Sequence, residues 1–257
     1  MIPERLMPGT TEWEVLEAEH KQRYEFFAGR CRGLRVLDIA CGVGYGSQLL
    51  ADQGAASVTG VDIAAEAIEC AKSQFAHPAV EFIRGDARDL AGLGRQFDAA
   101  VSFETIEHLP DPAALLREVH GVLAPKGFFV CSTPNRDYYR KGETNPYHLC
   151  EWSYEEFYQA FDQRFEIDGK YHQSPSAAYL RHLDLLTELG GLQRQLRFSV
   201  AFRMEEALRK ILGKQPLNGH TLPDSLWRIA PGDYVIEPIT QPSPRHVTFI
   251  LSGRARA

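Results

Sequence analysis

The sequence predicts an α/β protein: a doubly wound, mostly parallel, seven-stranded sheet with an N-terminal helix and a helical insertion before the last strand. Three observations predict it. Strand and helix patterns alternate from residue 34 onward, the rhythm of a parallel sheet with helices on both faces. The run Val36-Leu37-Asp38-Ile39-Ala40-Cys41-Gly42-Val43-Gly44-Tyr45-Gly46 reads as a buried strand, a glycine-rich turn and a helix start. Acids close three successive strands: Asp38, Asp62 and, just past the third, Asp86.

Each element has its own signal. A helix over about 11–28 sets Trp13, Leu16, His20, Tyr24 and Phe27 near one face. Strands are expected at 34–40, 57–62, 80–84, 97–103 and 127–132, with helices at 45–52, 64–75 and 113–123. Asp111-Pro112 starts the last of these, with proline at the first helical position. Ser153 and Glu156 form a capping box for a further helix. Residues 165–171 read as a sixth strand and 245–252 as the closing one, approached through Pro238, Pro242 and Pro244. The stretch 173–232, broken by Gly190-Gly191, reads as a helical insertion or lid within one domain spanning 1–257.

Composition narrows the function. At 257 residues, 44% hydrophobic and 24% charged, the chain has an ordinary globular composition. Its net charge of −6 disfavours a nucleic-acid partner, which wants a basic face. Five cysteines, at 31, 41, 70, 131 and 150, show no C-x-x-C spacing, so reduced thiols in a cytoplasmic protein are expected. The N-terminus has no apolar leader core, and no apolar run is long enough to span a membrane.

The glycine turn lets a nucleotide-like ligand approach the backbone, because glycine lacks a Cβ and accepts positive φ. Asp38 beside it suits a cationic group better than a pyrophosphate. Asp62, 20 residues beyond Gly42, has the separation expected of a carboxylate that binds ribose hydroxyls. Asp86 suits an exocyclic amine. The set V-L-D-I-A-C-G-V-G-Y-G, G-V-D-I, G-D-A and F-D-A-A-V-S-F-E, over residues 34–135, resembles the class I methyltransferases that use S-adenosylmethionine (SAM), which have a Rossmann-like fold. The resemblance implies that Gly42 and Gly44 pack against the amino-acid part of SAM and that Asp38 holds its ammonium, directly or through water. It implies that Asp62 binds the ribose, that Ile63 lies against adenine, and that Asp86 and the Ala87 amide read the adenine edge. Phe103 or Glu104 would line the sulfonium region. Pro3-Glu4-Arg5 through Pro8-Gly9 and Glu19-His20-Lys21-Gln22-Arg23-Tyr24 resemble methyltransferases of bacterial polysaccharide and sugar pathways. That likeness makes Arg23 and Tyr24 candidates to reach the SAM carboxylate.

A second cluster, Glu104-Thr105-Ile106-Glu107-His108, ends the fourth strand beside the expected methyl group. A methyl-accepting oxygen must lose its proton, and a histidine suits that task, so His108 is the candidate general base. Glu104, Glu107, His108 and His148 together offer oxygen and nitrogen donors for Mg²⁺ or Mn²⁺. E-x-x-E-H, the Ser132-Thr133-Pro134-Asn135 run and a histidine before E-W resemble the small-RNA 3′-terminal 2′-O-methyltransferases. E-x-x-E-H also resembles the ubiquinone-type O-methyltransferases. From 179 to 214 the insertion carries seven bases and four acids, suited to a phosphorylated or anionic acceptor. Its leucines, Leu183, Leu185, Leu186, Leu189 and Leu192, would be its core or a dimer surface.

The sequence thus points to a SAM-dependent methyltransferase acting on an oxygen of a sugar, a glycan intermediate in polysaccharide biosynthesis or another small molecule. The rival readings are a metal-dependent RNA 2′-O-methyltransferase and a nicotinamide-dependent oxidoreductase on the same fold. Asp38 and the absence of G-x-G-x-x-G speak against the oxidoreductase.

Overall fold

The structure is a computed structural model and describes residues 8, 11–139, 147–181, 232–243 and 246–256. A sheet of eight strands has the order β3-β2-β1-β4-β5-β8-β6-β7. The strands are β1 Arg35–Ile39, β2 Ser57–Asp62, β3 Val80–Arg84, β4 Phe97–Ser102, β5 Leu123–Pro134, β6 Phe165–Pro175, β7 Tyr234–Pro238 and β8 Thr248–Ala255. β3, β2, β1, β4 and β5 pair in parallel. β8 runs antiparallel to both β5 and β6, so the carboxyl end of β6 points the same way as that of β5.

The expected count of seven strands is corrected to eight. The additional strand is β7, whose sequence Tyr-Val-Ile-Glu-Pro is short and ends in proline. It closes the edge of the sheet, where a missing N–H costs no ladder bond. β5 and β6 also run beyond their expected bounds.

β1 shows how the sheet aims its polar groups. Four of its five residues are buried, as a parallel strand covered on both faces requires. Side chains alternate, so Leu37 and Ile39 join one core cluster while Val36 joins the other. The Leu37 face is filled by α4 (Pro112–Val122), through Leu115, Leu116 and Val119, and by Phe157 and Phe161 of α6 (Tyr154–Asp162). The Val36 face is filled by Tyr24, Phe27 and Ala28 of α1 (Thr11–Cys31) and by Leu50 and Ala51 of α2 (Tyr45–Asp52). Asp38 follows Val36 by two positions and therefore faces α1 and α2. The third sheet-covering helix of this half is α3 (Ala65–Gln74); a short α5 (Arg136–Tyr139) follows β5.

The helix caps match their sequence signals. Asp111 accepts from the Ala114 amide and Pro112 opens α4. Ser153 and Glu156 make both bonds of the capping box on α6.

The chain divides into two compact units, one of Arg23–Ser174 with Ile236–Ala257 and one of Met1–Gln22 with Pro175–Val235. The first unit carries every candidate site residue except the side chains of the insertion. In the second, the Gln22 side-chain amide donates to the Tyr234 carbonyl at 2.7 Å and the Ser176 amide to the Asp233 carbonyl at 2.6 Å. Of the expected insertion, residues 182–231, with Gly190-Gly191 and the basic run beyond Arg181, lie outside the described residues. So do residues 1–7 of the N-terminal motif and Asn145-Pro146. All five cysteines are free thiols. Among the described residues no helix is long and apolar enough to cross a membrane.

Candidate functional site

The glycine turn is fixed from below by side chains. The Asp38 carboxylate is fully buried and accepts from Ser47 Oγ at 2.6 Å and Tyr24 Oη at 3.1 Å. Burial raises its pKa to about 7, against the pull of those two hydroxyl bonds. Gly44, at φ +94°, takes a left-handed conformation, and a Cβ there would stand 2.6 Å from the Phe82 ring and 2.8 Å from Ala71. Gly46 lies directly against the Tyr24 ring, which a Cβ would overlap. Gly42, at φ +56°, is different, since a Cβ there would meet nothing within 4 Å. The backbone at Gly42 therefore borders open space, as a ligand-facing position should.

Asp62 ties that turn to β2. Its Oδ2 accepts from the Gly42 amide at 3.0 Å and its Oδ1 from the Ala64 amide at 2.9 Å. The next side chain, Ile63, is 54% exposed although large and apolar. Asp86 lies past β3, where Arg88 grips both carboxylate oxygens, at 3.0 Å and 2.6 Å. Those bonds hold its carboxyl below the ordinary value. Ala87, next to it, packs at the margin of the core.

Arg23 is buried to 1% exposure, beside the end of β4. Its Nε donates to Gln173 Oε1 at 2.6 Å, and its Nη2 is 4.0 Å from Glu104 Oε2. Phe103 stands edge-on to Tyr24 at 4.8 Å between centroids. Sequence reasoning missed Ser47 and Gln173. Ser47 had a faint signal, a hydroxyl on the buried face of the first turn of α2. Gln173 had none, because its role depends on β6 running past its expected end.

The E-x-x-E-H run divides at the end of β4. Glu104 has a left-handed backbone, φ +52°. Its amide donates to Ser132 Oγ at 3.1 Å, and Ser132 Oγ donates back to Glu104 Oε1 at 2.6 Å. A 3-10 turn, Ile106–His108, then buries Glu107 completely. Glu107 Oε2 accepts from Thr133 Oγ1 at 3.2 Å, while Oε1 has no hydrogen-bond partner among the described residues. Burial first, and then the neighbouring Glu104 charge, push the Glu107 pKa well up.

The loop before α6 is laced onto this turn. The Leu149 and Cys150 amides both donate to the Glu107 carbonyl, at 2.8 Å and 3.0 Å. His108 Nδ1 is 3.0 Å from the Tyr147 carbonyl. A carbonyl only accepts, so Nδ1 carries the hydrogen and Nε2 is the basic nitrogen. That nitrogen is 3.7 Å from Glu107 Oε1. The His148 ring lies 4.9 Å from the His108 ring, and its Nδ1 is 3.3 Å from Glu151 Oε1. Burial, then the nearby His108, lower the His148 pKa.

Of the four expected metal ligands, Glu107, His108 and His148 place ligand atoms within 4.8 Å of one another. Glu104 is not in that group; Ser132 and Arg23 engage its carboxylate instead.

The sequence and the fold have known counterparts. A methyltransferase-domain family, Methyltransf_11, matches residues 37–131, from the glycine turn through the strand after His108. A Mycolicibacterium smegmatis protein named "Probable S-adenosylmethionine-dependent methyltransferase" is 34% identical over 176 residues, covering 66% of this chain and 67% of that protein. A ubiquinone biosynthesis O-methyltransferase from Cereibacter sphaeroides is 39% identical over 108 residues, 41% of this chain and 43% of the relative. The chain thus spans two thirds of the first relative's length and under half of the second's. A solved complex of the Haloferax volcanii Trm112 methyltransferase activator with a methyltransferase matches 94% of this chain and 92% of its own, with TM-score 0.61 and 18% identity. At that identity the likeness speaks to the fold alone. The sequence identity to the mycobacterial relative decides between a methyl donor and a nicotinamide: the chain belongs to the S-adenosylmethionine-dependent methyltransferases.

Proposed function

We propose that this enzyme methylates a hydroxyl of a small molecule, with a sugar or glycan intermediate as the acceptor class to test first. The observation that carries the reading is His108. Its basic Nε2 is set by the Tyr147 carbonyl, and it lies at the end of β4, the strand beside β1 and the glycine turn. When bound, SAM supplies a methyl group on a sulfonium and leaves as S-adenosylhomocysteine. The acceptor's O–H bond breaks, its proton passes to His108 Nε2, and its oxygen electron pair forms the new bond to the methyl carbon.

The residues of the turn suit SAM. Gly42 offers open backbone, Gly44 supports the turn, Asp62 holds a carboxylate for the ribose, and Ile63 offers an exposed apolar surface for adenine. Asp86 and the Ala87 amide serve the adenine edge, with Arg88 setting the direction of the carboxylate. Asp38 is too deeply buried to be a surface ligand. It favours the ammonium through its charge and through the Tyr24 hydroxyl. Arg23 faces Glu104, the residue after Phe103, at 4.0 Å. Alignment of the two reactants supplies much of the rate, since fixed attack geometry is worth roughly 7–11 kcal/mol.

A second reading rests on the three gathered ligand atoms. Glu107, His108 and His148 would hold Mg²⁺ or Mn²⁺, which would polarise the acceptor oxygen as a Lewis acid. One experiment separates the readings. The enzyme is incubated with methyl-labelled SAM and a panel of sugar, glycan and phenolic acceptors, with and without EDTA. Label in an ether linkage supports O-methylation, and label on nitrogen or carbon overturns it. Full activity in EDTA excludes the metal; loss of activity with rescue by Mn²⁺ establishes it.

A further inference from the structure

We propose that Ser132 and Thr133, at the end of β5, are positioning residues that assign the two carboxylates of the E-x-x-E run to opposite sides of the site, Glu104 toward the cofactor and Glu107 toward the acceptor. The proposal rests on the O-methylation reading above and names the device that arranges its two acids.

The argument begins with the strand. β5 is apolar and buried through Phe128, Phe129, Val130 and Cys131, then changes to hydroxyl residues at Ser132 and Thr133 without becoming exposed. A buried hydroxyl is costly unless bonded, so packing alone would favour another valine. The change falls where β5 reaches the ligand-facing edge, beside the end of β4, with Ser102 level with Cys131. Successive side chains on a strand face opposite ways. The two neighbouring hydroxyls therefore reach two different acids, three residues apart in the chain.

The two grips differ. Ser132 holds Glu104 at two points, accepting from its amide and donating to its Oε1. That clamp supports a left-handed glutamate, a conformation that is strained outside glycine. It also leaves Oε2 as the oxygen that faces the buried Arg23 guanidinium. Thr133 holds Glu107 at one point, Oε2, and so leaves Oε1 as the oxygen facing His108 Nε2. One strand end thus selects which oxygen of each acid faces its neighbour. The separation also explains why Glu104 stands apart from the group of Glu107, His108 and His148.

The test is a double-mutant cycle in the full-length enzyme. Turnover, acceptor KM, S-adenosylhomocysteine affinity and melting temperature are measured for Ser132→Ala, Glu104→Ala, the double variant and Thr133→Val. If Ser132 acts through Glu104, Ser132→Ala lowers kcat about tenfold, and adding it to Glu104→Ala costs nothing further. Thr133→Val, nearly the same shape, lowers kcat/KM for the acceptor about tenfold and leaves the S-adenosylhomocysteine affinity within twofold. Should Ser132→Ala fail to fold, Ser132→Cys keeps the volume and weakens the bond, and enters the same cycle. Losses that multiply in the double variant overturn the proposal, as does a Thr133→Val variant with wild-type kcat/KM. A wild-type enzyme without transfer to oxygen would sink the O-methylation reading and this proposal together, so the two failures are distinguishable.

Discussion

Asp62 and Glu107 are both buried carboxylates near the carboxyl ends of strands, yet the chain treats them in opposite ways. Asp62 is gripped by two backbone amides, one from the glycine turn and one from the start of α3. Glu107 has one hydroxyl bond and, among the described residues, one oxygen without a hydrogen-bond partner. The surroundings follow suit. Near Asp62 the backbone is strand, tight turn and helix; near Glu107 it is a left-handed residue, a 3-10 turn and a loop. A carboxylate oriented by two amides, with lone pairs left over, is a fixture suited to holding a ligand. A carboxylate left half-satisfied in a low-dielectric pocket keeps interaction strength for whatever arrives. On the proposed reading, the cofactor edge is built to bind and the acceptor edge to react.

This contrast is open to attack by mutation. The largest effect should come from His108→Ala, which should lower kcat by about 10²–10⁴-fold, the usual share of acid–base catalysis. Calorimetry should find S-adenosylhomocysteine affinity unchanged; a matching loss of affinity would merge the two edges into one. Gly44→Ala should do the reverse. It forces a left-handed alanine against Phe82 and Ala71, for a combined loss of about 2–5 kcal/mol in urea unfolding. S-adenosylhomocysteine binding should fall with it.

The third test concerns Asp38 and is read as a slope with pH. With a folded pKa near 7, against about 3.9 in an unfolded chain, the ligand-free protein holds a proton that the unfolded chain has released. Stability should therefore fall as pH rises from about 4 to 7, by at most roughly 1.4 kcal/mol per pH unit. Asp38→Asn should remove that contribution, and its chemical-denaturation profile should be flatter over that window. An unchanged slope would mean that Asp38 is ionised in the folded protein throughout.

The sequence was most legible where local chemistry sets structure. The Ser153–Glu156 capping box, the Asp111-Pro112 helix start and the turn from Ala40 to Gly46 depend on residues within a few positions of one another. The separation of Gly42 from Asp62 was legible too, because a strand–helix–strand unit sets it, but the bond from the Gly42 amide to Asp62 was not. Reading failed where partners are distant in the chain. Gln173 reaches Arg23 across 150 positions, and β7 joins the sheet edge after a long excursion. The E-x-x-E-H run looked like one cluster because its members are adjacent. Only the neighbouring strand, with a hydroxyl on each face, divides it.

The loop over the acceptor edge has an evolutionary consequence. It is fastened to the reactive turn by main-chain groups: the amides of Leu149 and Cys150 on the Glu107 carbonyl, and the Tyr147 carbonyl on His108. Main-chain anchors persist under side-chain substitution. Leu149, an exposed apolar side chain, can thus vary without unfastening the loop or displacing the histidine. Such a site can change the molecules it admits by single steps while its reaction stays intact. A library at Leu149, screened for new acceptors, should yield altered preference far more often than dead enzyme.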